Sequence, residues 1–163
     1  MYKERDMSQS LVLEALNDSV NEVIATFTGS SPSPEKSFVR AESVALGEVS
    51  AVVGLTGKGL TGSFIVSFSK DCILDIVAAL FGQRPEDISE EVRDAAGEMA
   101  NMMCGAFRRR FEKKGISLQG STPVIVTGEK HTLDILCKSQ RLVIPFALNG
   151  SKFFIEFCLD KKS

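Results

Sequence analysis

The chain has 163 residues, of which 44% are hydrophobic and 25% are charged, a balance typical of one folded globular domain rather than of a disordered chain. Its 19 basic and 21 acidic residues leave a net charge of −2, so no overall positive field favours nucleic acid or an anionic membrane as a partner. The longest uninterrupted apolar run covers only residues 142–148, far short of the roughly 20 residues that a membrane-spanning helix needs.

The first half of the chain predicts two helices separated by a β-hairpin. Apolar residues that step by threes and fours predict an amphipathic helix over residues 8–28, ended by Gly29. Prolines and serines make residues 29–37 a loop. Two β-branched runs, at residues 49–55 and 61–68, predict the hairpin. Helical spacing returns over residues 71–81, with Gly82 placed as a C-terminal cap.

The second half predicts a long helix followed by strands. Ser89 has the chemistry of an N-cap, acidic residues follow it, and the helix is expected to run to Lys114 and stop at Gly115. Asn149-Gly150 is a strong type I′ hairpin signal, and Pro145 suggests a bulge or an edge position. The predicted strands cover residues 123–127, 132–137, 141–148 and 152–159. The order of elements predicts an α+β fold, an antiparallel sheet with helices packed on it.

Cysteine and histidine usage offers little material for a metal site or a catalytic triad. The four cysteines lie at least 21 residues apart without a CxxC pair, so buried free thiols are favoured over a disulfide framework or a zinc site. The cysteines are Cys72, Cys104, Cys137 and Cys158. The single histidine, His131, is expected in a turn or on the surface. No secretory signal is predicted at the N-terminus, so we expect a cytoplasmic protein.

Two further motifs have plainer interpretations. The glycine-rich residues 54–62 resemble a phosphate-binding loop, but Lys58 is followed by glycine and a strand comes next, which disfavours nucleotide binding. The basic run 108–110 could face an acidic partner, although cations in the last turns of a helix also complement its dipole and keep it solvated.

The long helix has two distinct faces on a helical wheel. Asp94, Glu98 and Asn101 fall opposite the apolar stripe and are expected to face away from the core. Gly105 lies on this outward face, one turn after Asn101, although a glycine in a helix interior costs roughly 1 kcal/mol relative to alanine. That cost suggests that another surface must come close. The apolar stripe consists of Val92, Ala95, Ala96, Met99, Met103, Ala106 and Phe107.

A carboxylate and a carboxamide at this spacing suit a site that positions water. The carboxylate of Glu98 can pair with a cation on a docked partner, and the amide of Asn101 can hold a water molecule in line for attack. Neither group is a useful nucleophile, so a covalent intermediate is not expected. On the residues alone, a solvated polar face explains the pattern more simply.

The motif Asp94-x3-Glu98-x2-Asn101, followed by Pro123, resembles the D/S-x3-E-x2-N…P signature of the CheX, CheC and FliY family of chemotaxis phosphatases. Residues 49–57 and 62–69, and the closing residues 142–146 and 154–157, also resemble the CheX type, and the likeness covers residues 11–159. It implies a CheC-like fold, with two long helices and one shorter helix on the sheet, and a single CheX-like domain over residues 1–163.

The resemblance also implies a function. It indicates a phosphatase that removes the aspartyl phosphate of a CheY-like response regulator in chemotaxis or related two-component signalling. Asn101 would orient the attacking water and Glu98 would pair with the lysine of the receiver's active site, with Asp94, Gly105 and Pro123 in support. The chain itself would hold no cofactor, because Mg²⁺ is expected on the receiver. Members of the CheX type form homodimers, and an edge strand would serve that purpose.

Two alternatives stay open. Ser10, Glu14 and Asn17 in the first helix fit S-x3-E-x2-N, and the CheC type carries a site on each of two helices. Glu14 and Asn17 lie on the flank of the apolar stripe, with no glycine one turn later, which favours a single site. The second alternative is functional: the same helix face would serve a non-catalytic module that binds a receiver or a flagellar-switch component.

Overall fold

The computed structural model describes residues 8–135 and 137–162, which form one sheet with helices on it. The helices are α1 (Gln9–Thr28), α2 (Lys70–Phe81) and α3 (Glu90–Glu112). The strands are β1 (Ser33–Pro34), β2 (Phe38–Arg40), β3 (Val49–Gly57), β4 (Leu60–Phe68), β5 (Leu118–Gly120), β6 (Val124–Thr127), β7 (Arg141–Leu148) and β8 (Ser151–Lys161). Within the described ranges, no helix is long and apolar enough to cross a bilayer.

The helix ends are fixed by local capping. The hydroxyls of Ser8, Ser69 and Ser89 accept hydrogen bonds from backbone N–H groups in the first turns of the three helices. Gly29 and Gly82 close α1 and α2 at φ values of 71° and 79°, in the left-handed region that glycine tolerates. The predicted ends of α1 and α2 are therefore confirmed to within one residue, while α3 ends two residues before the predicted Lys114.

The sheet is antiparallel throughout, in the order β1-β7-β8-β4-β3-β5, with β2 also pairing with β7 and β6 with β3. The β7–β8 hairpin turns at Asn149 and Gly150, whose φ values of 48° and 87° confirm the predicted type I′ signal. Pro145 lies on β7, and its carbonyl oxygen accepts a hydrogen bond from Glu35 N–H at 2.8 Å. β7 is an inner strand, between β8 and the short strands β1 and β2, so the predicted edge position is not found. Pro145 lies between the residues of β7 that pair with β1 and those that pair with β2, where a proline removes no ladder hydrogen bond to either.

The main core lies between the helices and one face of the sheet. Its centre is a group of phenylalanines in which the ring of Phe107, on α3, lies 4.3 Å from the ring of Phe111 and 4.9 Å from that of Phe157. Phe107 also lies 6.0 Å from the ring of Phe64 on β4. Because all four rings are buried, α3 is fixed on the sheet by close-packed contacts and presents its other face at a defined angle.

The opposite face of the sheet is crossed by irregular chain, which corrects one prediction. Residues 132–137 do not form a strand: Thr132 makes an isolated bridge with Val44, no strand is assigned to residues 133–135 or 137, and residue 136 lies outside the described residues. Side-chain contacts, rather than strand pairing, hold this part of the chain against the sheet. His131 Nδ1 lies 2.7 Å from the carbonyl oxygen of Gly128, and its Nε2 lies 2.7 Å from Ser50 Oγ on β3. The half-buried His131 therefore anchors this loop.

The prediction of four free thiols is also wrong, because Cys137 and Cys158 form a disulfide. The segment that crosses the opposite face of the sheet places Cys137 beside Cys158 on β8. The spacing of the cysteines along the chain does not predict that contact. Cys72 and Cys104 are free and buried, as predicted. Burial raises the pKa of each of these two thiols to about 11, which makes them poor nucleophiles.

Candidate functional site

The outward face of α3 carries the three side chains that the sequence singled out. Asp94, Glu98 and Asn101 are exposed, whereas Met99 and Met103, on the other face of the same turns, have no solvent exposure. The helical-wheel prediction is confirmed, since all seven residues of the predicted apolar stripe are buried. Rigid packing on one side of the helix therefore supports a fixed row of polar groups on the other.

These side chains line an open cleft of about 530 Å³ between α3 and the segment that joins β5 to β6. Pro123 lies in the opposite wall, so the structure brings it together with Asp94, Glu98 and Asn101. Gly105 does not line the cleft; it is half-buried, and a Cβ there would lie 3.5 Å from Arg109 Nη1. The lining residues are Arg93, Asp94, Gly97, Glu98, Asn101, Gly120, Ser121, Thr122, Pro123 and Ile125.

Two local features hold the walls in place. Ser121 is tied to β3 because its Oγ accepts from Gly54 N–H at 2.8 Å and its N–H donates to the Gly54 carbonyl at 2.9 Å. On the helix side, a Cβ at Gly97 would lie 3.3 Å from Ile125 Cδ1, closer than most packed carbons. Glycine at this position thus allows β6 to approach α3 closely.

The polar side chains that α3 presents to the cleft are not used by the described part of the fold. No hydrogen bond or ion pair joins the side chains of Asp94, Glu98 or Asn101 to another residue within 8–135 and 137–162. On α2, by contrast, Asp71 and Asp75 lie 3.0 Å and 2.9 Å from the Arg84 guanidinium. Glu98 and Asn101 therefore have their full hydrogen-bonding capacity available to a docked molecule.

The chemistry that this arrangement supports is orientation rather than covalent catalysis. The amide of Asn101 offers an acceptor and two donors for a water molecule, and the carboxylate of Glu98, one turn earlier, offers an acceptor for a cation. Arg93 lines the same cleft and, in the part of the chain that the structure describes, has no ion-pair partner. Within residues 8–135 and 137–162, no group of three His, Cys, Asp or Glu side chains is arranged to hold a metal ion.

The alternative site in α1 has a different geometry. Glu14 is exposed in a smaller depression beside Arg110 and two lysines, but Asn17 does not line that depression. The Oδ1 atom of Asn17 is buried without a hydrogen-bond partner among the described residues. Glu14 and Asn17 therefore do not face a common cleft, unlike Glu98 and Asn101.

The basic run at the end of α3 pairs with the protein's own chain. Arg109 and Arg110 each lie 3.5 Å from the carboxylate of Glu22 on α1. Arg110 also donates from Nη1 to the carbonyl oxygen of Ala106 at 3.2 Å. These contacts link the two long helices, a role for the basic run that the sequence did not predict.

Apart from Pro123, the residues of the second wall of the cleft could not be predicted from the sequence. Ser121 and Thr122 precede the predicted Pro123, but nothing in their spacing connects them to Gly54. Arg93 resembles any other exposed helix cation. Gly97 carried a usable signal, because it is a second glycine in the interior of a helix whose other glycine had already been singled out.

The family comparison adds an independent observation. Residues 49–147, more than half of the chain, match the model of the family described as "Chemotaxis phosphatase CheX". This region includes the cleft and excludes Glu14 and Asn17. The chain is also similar to the CheY-P phosphatase CheX of Thermotoga maritima, with 28% identity over 139 residues, covering 85% of this chain and 86% of that protein.

Solved structures agree with the family comparison. The chemotaxis protein CheX from Desulfovibrio desulfuricans is 37% identical, with a TM-score of 0.82 over 91% of this chain and 99% of that one. CheX from Vibrio vulnificus is 30% identical, with a TM-score of 0.84 and the same coverage. A CheX–CheY–BeF3–Mg²⁺ complex from Borrelia burgdorferi, at 20% identity and a TM-score of 0.74 over 92% and 98% of the two chains, shares the fold. The CheC-like α+β fold is thus confirmed, and the chain belongs to the CheX family of chemotaxis phosphatases.

Proposed function

We propose that this protein hydrolyses the aspartyl phosphate of a CheY-like response regulator, with Glu98 and Asn101 as its working pair. The observation that carries the proposal is the unused polar pair in an open cleft: both side chains are exposed on one face of a rigid helix, and neither bonds to the rest of the described chain. The CheY-P phosphatase of T. maritima supports the choice of substrate.

The reaction requires little covalent chemistry from the protein. The exposed face of α3 docks over the active site of the receiver, so that Glu98 and Asn101 enter that site in trans. The Asn101 amide then orients a water molecule opposite the bond between phosphorus and the aspartyl oxygen. The bond from water oxygen to phosphorus forms as the aspartyl bond breaks, which yields inorganic phosphate and restores the receiver's carboxylate. Catalysis of such transfers rests mainly on positioning and on charge stabilisation.

Glu98 has a separate role on the receiver's side. Its carboxylate pairs with the active-site lysine of the receiver and fixes the two proteins in register. Mg²⁺ enters on the receiver, as the complex from B. burgdorferi supports for its own receiver. Asp94 lines the same cleft as an accessory acidic group, and Pro123 shapes the opposite wall. Gly105 has no place in the proposed site because it does not line the cleft.

The proposal extends to assembly and location. We place the protein in the cytoplasm, where CheY-like receivers act, as a single domain that pairs into a homodimer. Strand β2 supports a dimer contact, since among the described strands it pairs only with β7 and leaves Phe38 and Val39 42% and 55% exposed. An unpaired apolar edge of this kind favours strand-to-strand association.

The decisive experiment follows the decay of a phosphorylated CheY-like receiver in Mg²⁺, with and without this protein. Wild type should accelerate decay, and Asn101→Ala should reduce the acceleration by about a hundredfold, the usual effect of removing one positioning amide. Glu98→Ala should impair it mainly through weaker receiver binding. Glu14→Ala is the matched control, because Glu14 is also an exposed helix carboxylate and lies outside the cleft.

The outcomes separate the proposal from its rivals. Asn101→Ala that still binds the receiver but has lost turnover would support water positioning. A wild type that binds receivers from the same cell without accelerating their decay would establish the non-catalytic binding module instead. A loss of activity in Glu14→Ala as large as that in Glu98→Ala would point to a second site on α1.

A further inference from the structure

A second concave surface adjoins the candidate site, and apart from the shared Asp94 and Glu98 the proposed chemistry does not use its residues. This surface, called here the Phe81 groove, lies between the C-terminal ends of α1 and α2 and the N-terminal half of α3. Its walls combine apolar side chains with carboxylates. They comprise Phe27, Leu80, Phe81, Glu90, Glu91, Asp94, Ala95 and Glu98.

Phe81 is the unusual member of the groove. Phe27 and Leu80 are partly buried and pack against the core, whereas 61% of Phe81 is exposed. Phe81 is the last residue of α2, and Gly82 follows it in the left-handed conformation, so the chain turns away and leaves the phenyl ring uncovered. A protruding aromatic ring bordered by charged side chains is the usual form of a binding anchor.

The charges of the groove restrict what can occupy it. Four of its lining residues are acidic and none is basic, so the surface repels nucleic acid and anionic lipid. It suits a protein surface that presents an apolar pocket for Phe81 beside one or more lysines or arginines. When such a partner binds, its basic side chains are attracted to the carboxylates of the groove, and the ring of Phe81 is buried in the same interface.

The groove and the cleft are continuous, because Asp94 and Glu98 line both. A protein partner bound stably covers about 800 Å² on each side of an interface, which is larger than the cleft alone. Any receiver that reaches Asn101 therefore extends over a neighbouring surface. A second copy of this chain seated in the groove would instead contact Glu98 and obstruct that access.

We infer that the Phe81 groove is the docking surface for the receiver, with Phe81 inserted as an apolar anchor and the four carboxylates facing basic side chains of the receiver. This inference rests on the proposed function, since it names a further surface for the same partner. It assigns affinity largely to the groove and turnover to Asn101.

The test measures binding and turnover separately. Binding is titrated calorimetrically with a CheY-like receiver from the same cell, loaded with Mg²⁺ and beryllofluoride as a stable mimic of the phosphoryl group. Phe81→Ser should raise the Kd, and the KM for the phosphorylated receiver, by about tenfold, as expected for a hot-spot anchor. The kcat should stay within about twofold, because Phe81 does not line the cleft.

Three controls accompany Phe81→Ser. Phe81→Leu should retain most of the affinity, because it keeps an apolar anchor. Val44→Ser should leave the Kd unchanged, since Val44 is 44% exposed and lies on the opposite side of the sheet. Urea unfolding midpoints of all variants should match that of wild type, which shows that the change in Kd reflects docking and not unfolding.

Several results would overturn the inference. An unchanged Kd for Phe81→Ser, or no binding by wild type to any receiver, would refute docking at the groove. If Phe81→Ser converts a dimer to a monomer in sedimentation velocity, the occupant is a second copy of the chain. Receiver binding that depends on Phe81 but occurs without turnover would uphold the groove while refuting the proposed hydrolysis, so the two failures are distinguishable.

Discussion

Truncation of Met99 tests whether α3 really separates a structural face from a functional one. The Met99 side chain is fully buried, and Met99→Ala removes Cγ, Sδ and Cε from the core. Transfer of these atoms accounts for about 2 kcal/mol, at about 0.8 kcal/mol for each methylene-sized group. The cavity left behind adds to this cost, so the free energy of unfolding should fall by roughly 2–5 kcal/mol.

The effect should be easy to measure. Urea unfolding followed by far-UV circular dichroism should show a lower midpoint with an unchanged slope, and the Tm should fall by about 4–20 °C for a domain of this size. Asn101→Ala is the matched control on the same helix. It removes no packing and replaces a weak helix former with the strongest, so stability should stay constant or rise by about 0.5 kcal/mol.

Activity completes the comparison. Per folded molecule, Met99→Ala should retain the turnover of wild type, whereas Asn101→Ala should lose it with an unchanged midpoint. Met99→Leu, which conserves volume, should cost less than about 1.5 kcal/mol. Equal midpoints for Met99→Ala and wild type, or an Asn101→Ala variant destabilised as strongly as Met99→Ala, would refute the assignment of the two faces.

Two further predictions concern the cysteines. Reduction of the Cys137–Cys158 disulfide, which links residues 21 apart, should lower the free energy of unfolding by about 3 kcal/mol. Cys137→Ser should lose the same amount of stability and should not respond further to reductant. Identical urea midpoints of wild type with and without reductant would contradict this prediction. Burial raises the pKa of Cys72 and Cys104 from 9.0 to about 11, so the folded state holds the thiol protons more tightly than the unfolded state does. The stability that the two protonated thiols contribute is therefore complete below pH 9 and is lost as the pH rises through about 11. Neither thiol should react with Ellman's reagent in the native protein at pH 8, while both should react in urea; rapid labelling of the native protein would show that these thiols are accessible.

One wall of the candidate site could be predicted from the sequence, and the other could not. Asp94, Glu98 and Asn101 share one helix, so a rotation of about 100° per residue is enough to place them on one face. The opposite wall comes from the segment between β5 and β6. Its position depends on the paired hydrogen bonds between Ser121 and Gly54, which join residues far apart in sequence.

The sequence by itself determined the helices, most strands and the direction in which α3 faces, because capping and hydrophobic periodicity act over a few residues. Tertiary structure decided the rest. Residues 132–135 alternate like a strand, yet they cross the back of the sheet, because the contact of His131 with Ser50 and the bond from Cys137 to Cys158 hold them there. Such contacts form only after β3 and β8 have been placed side by side with β4, and no local pattern encodes them.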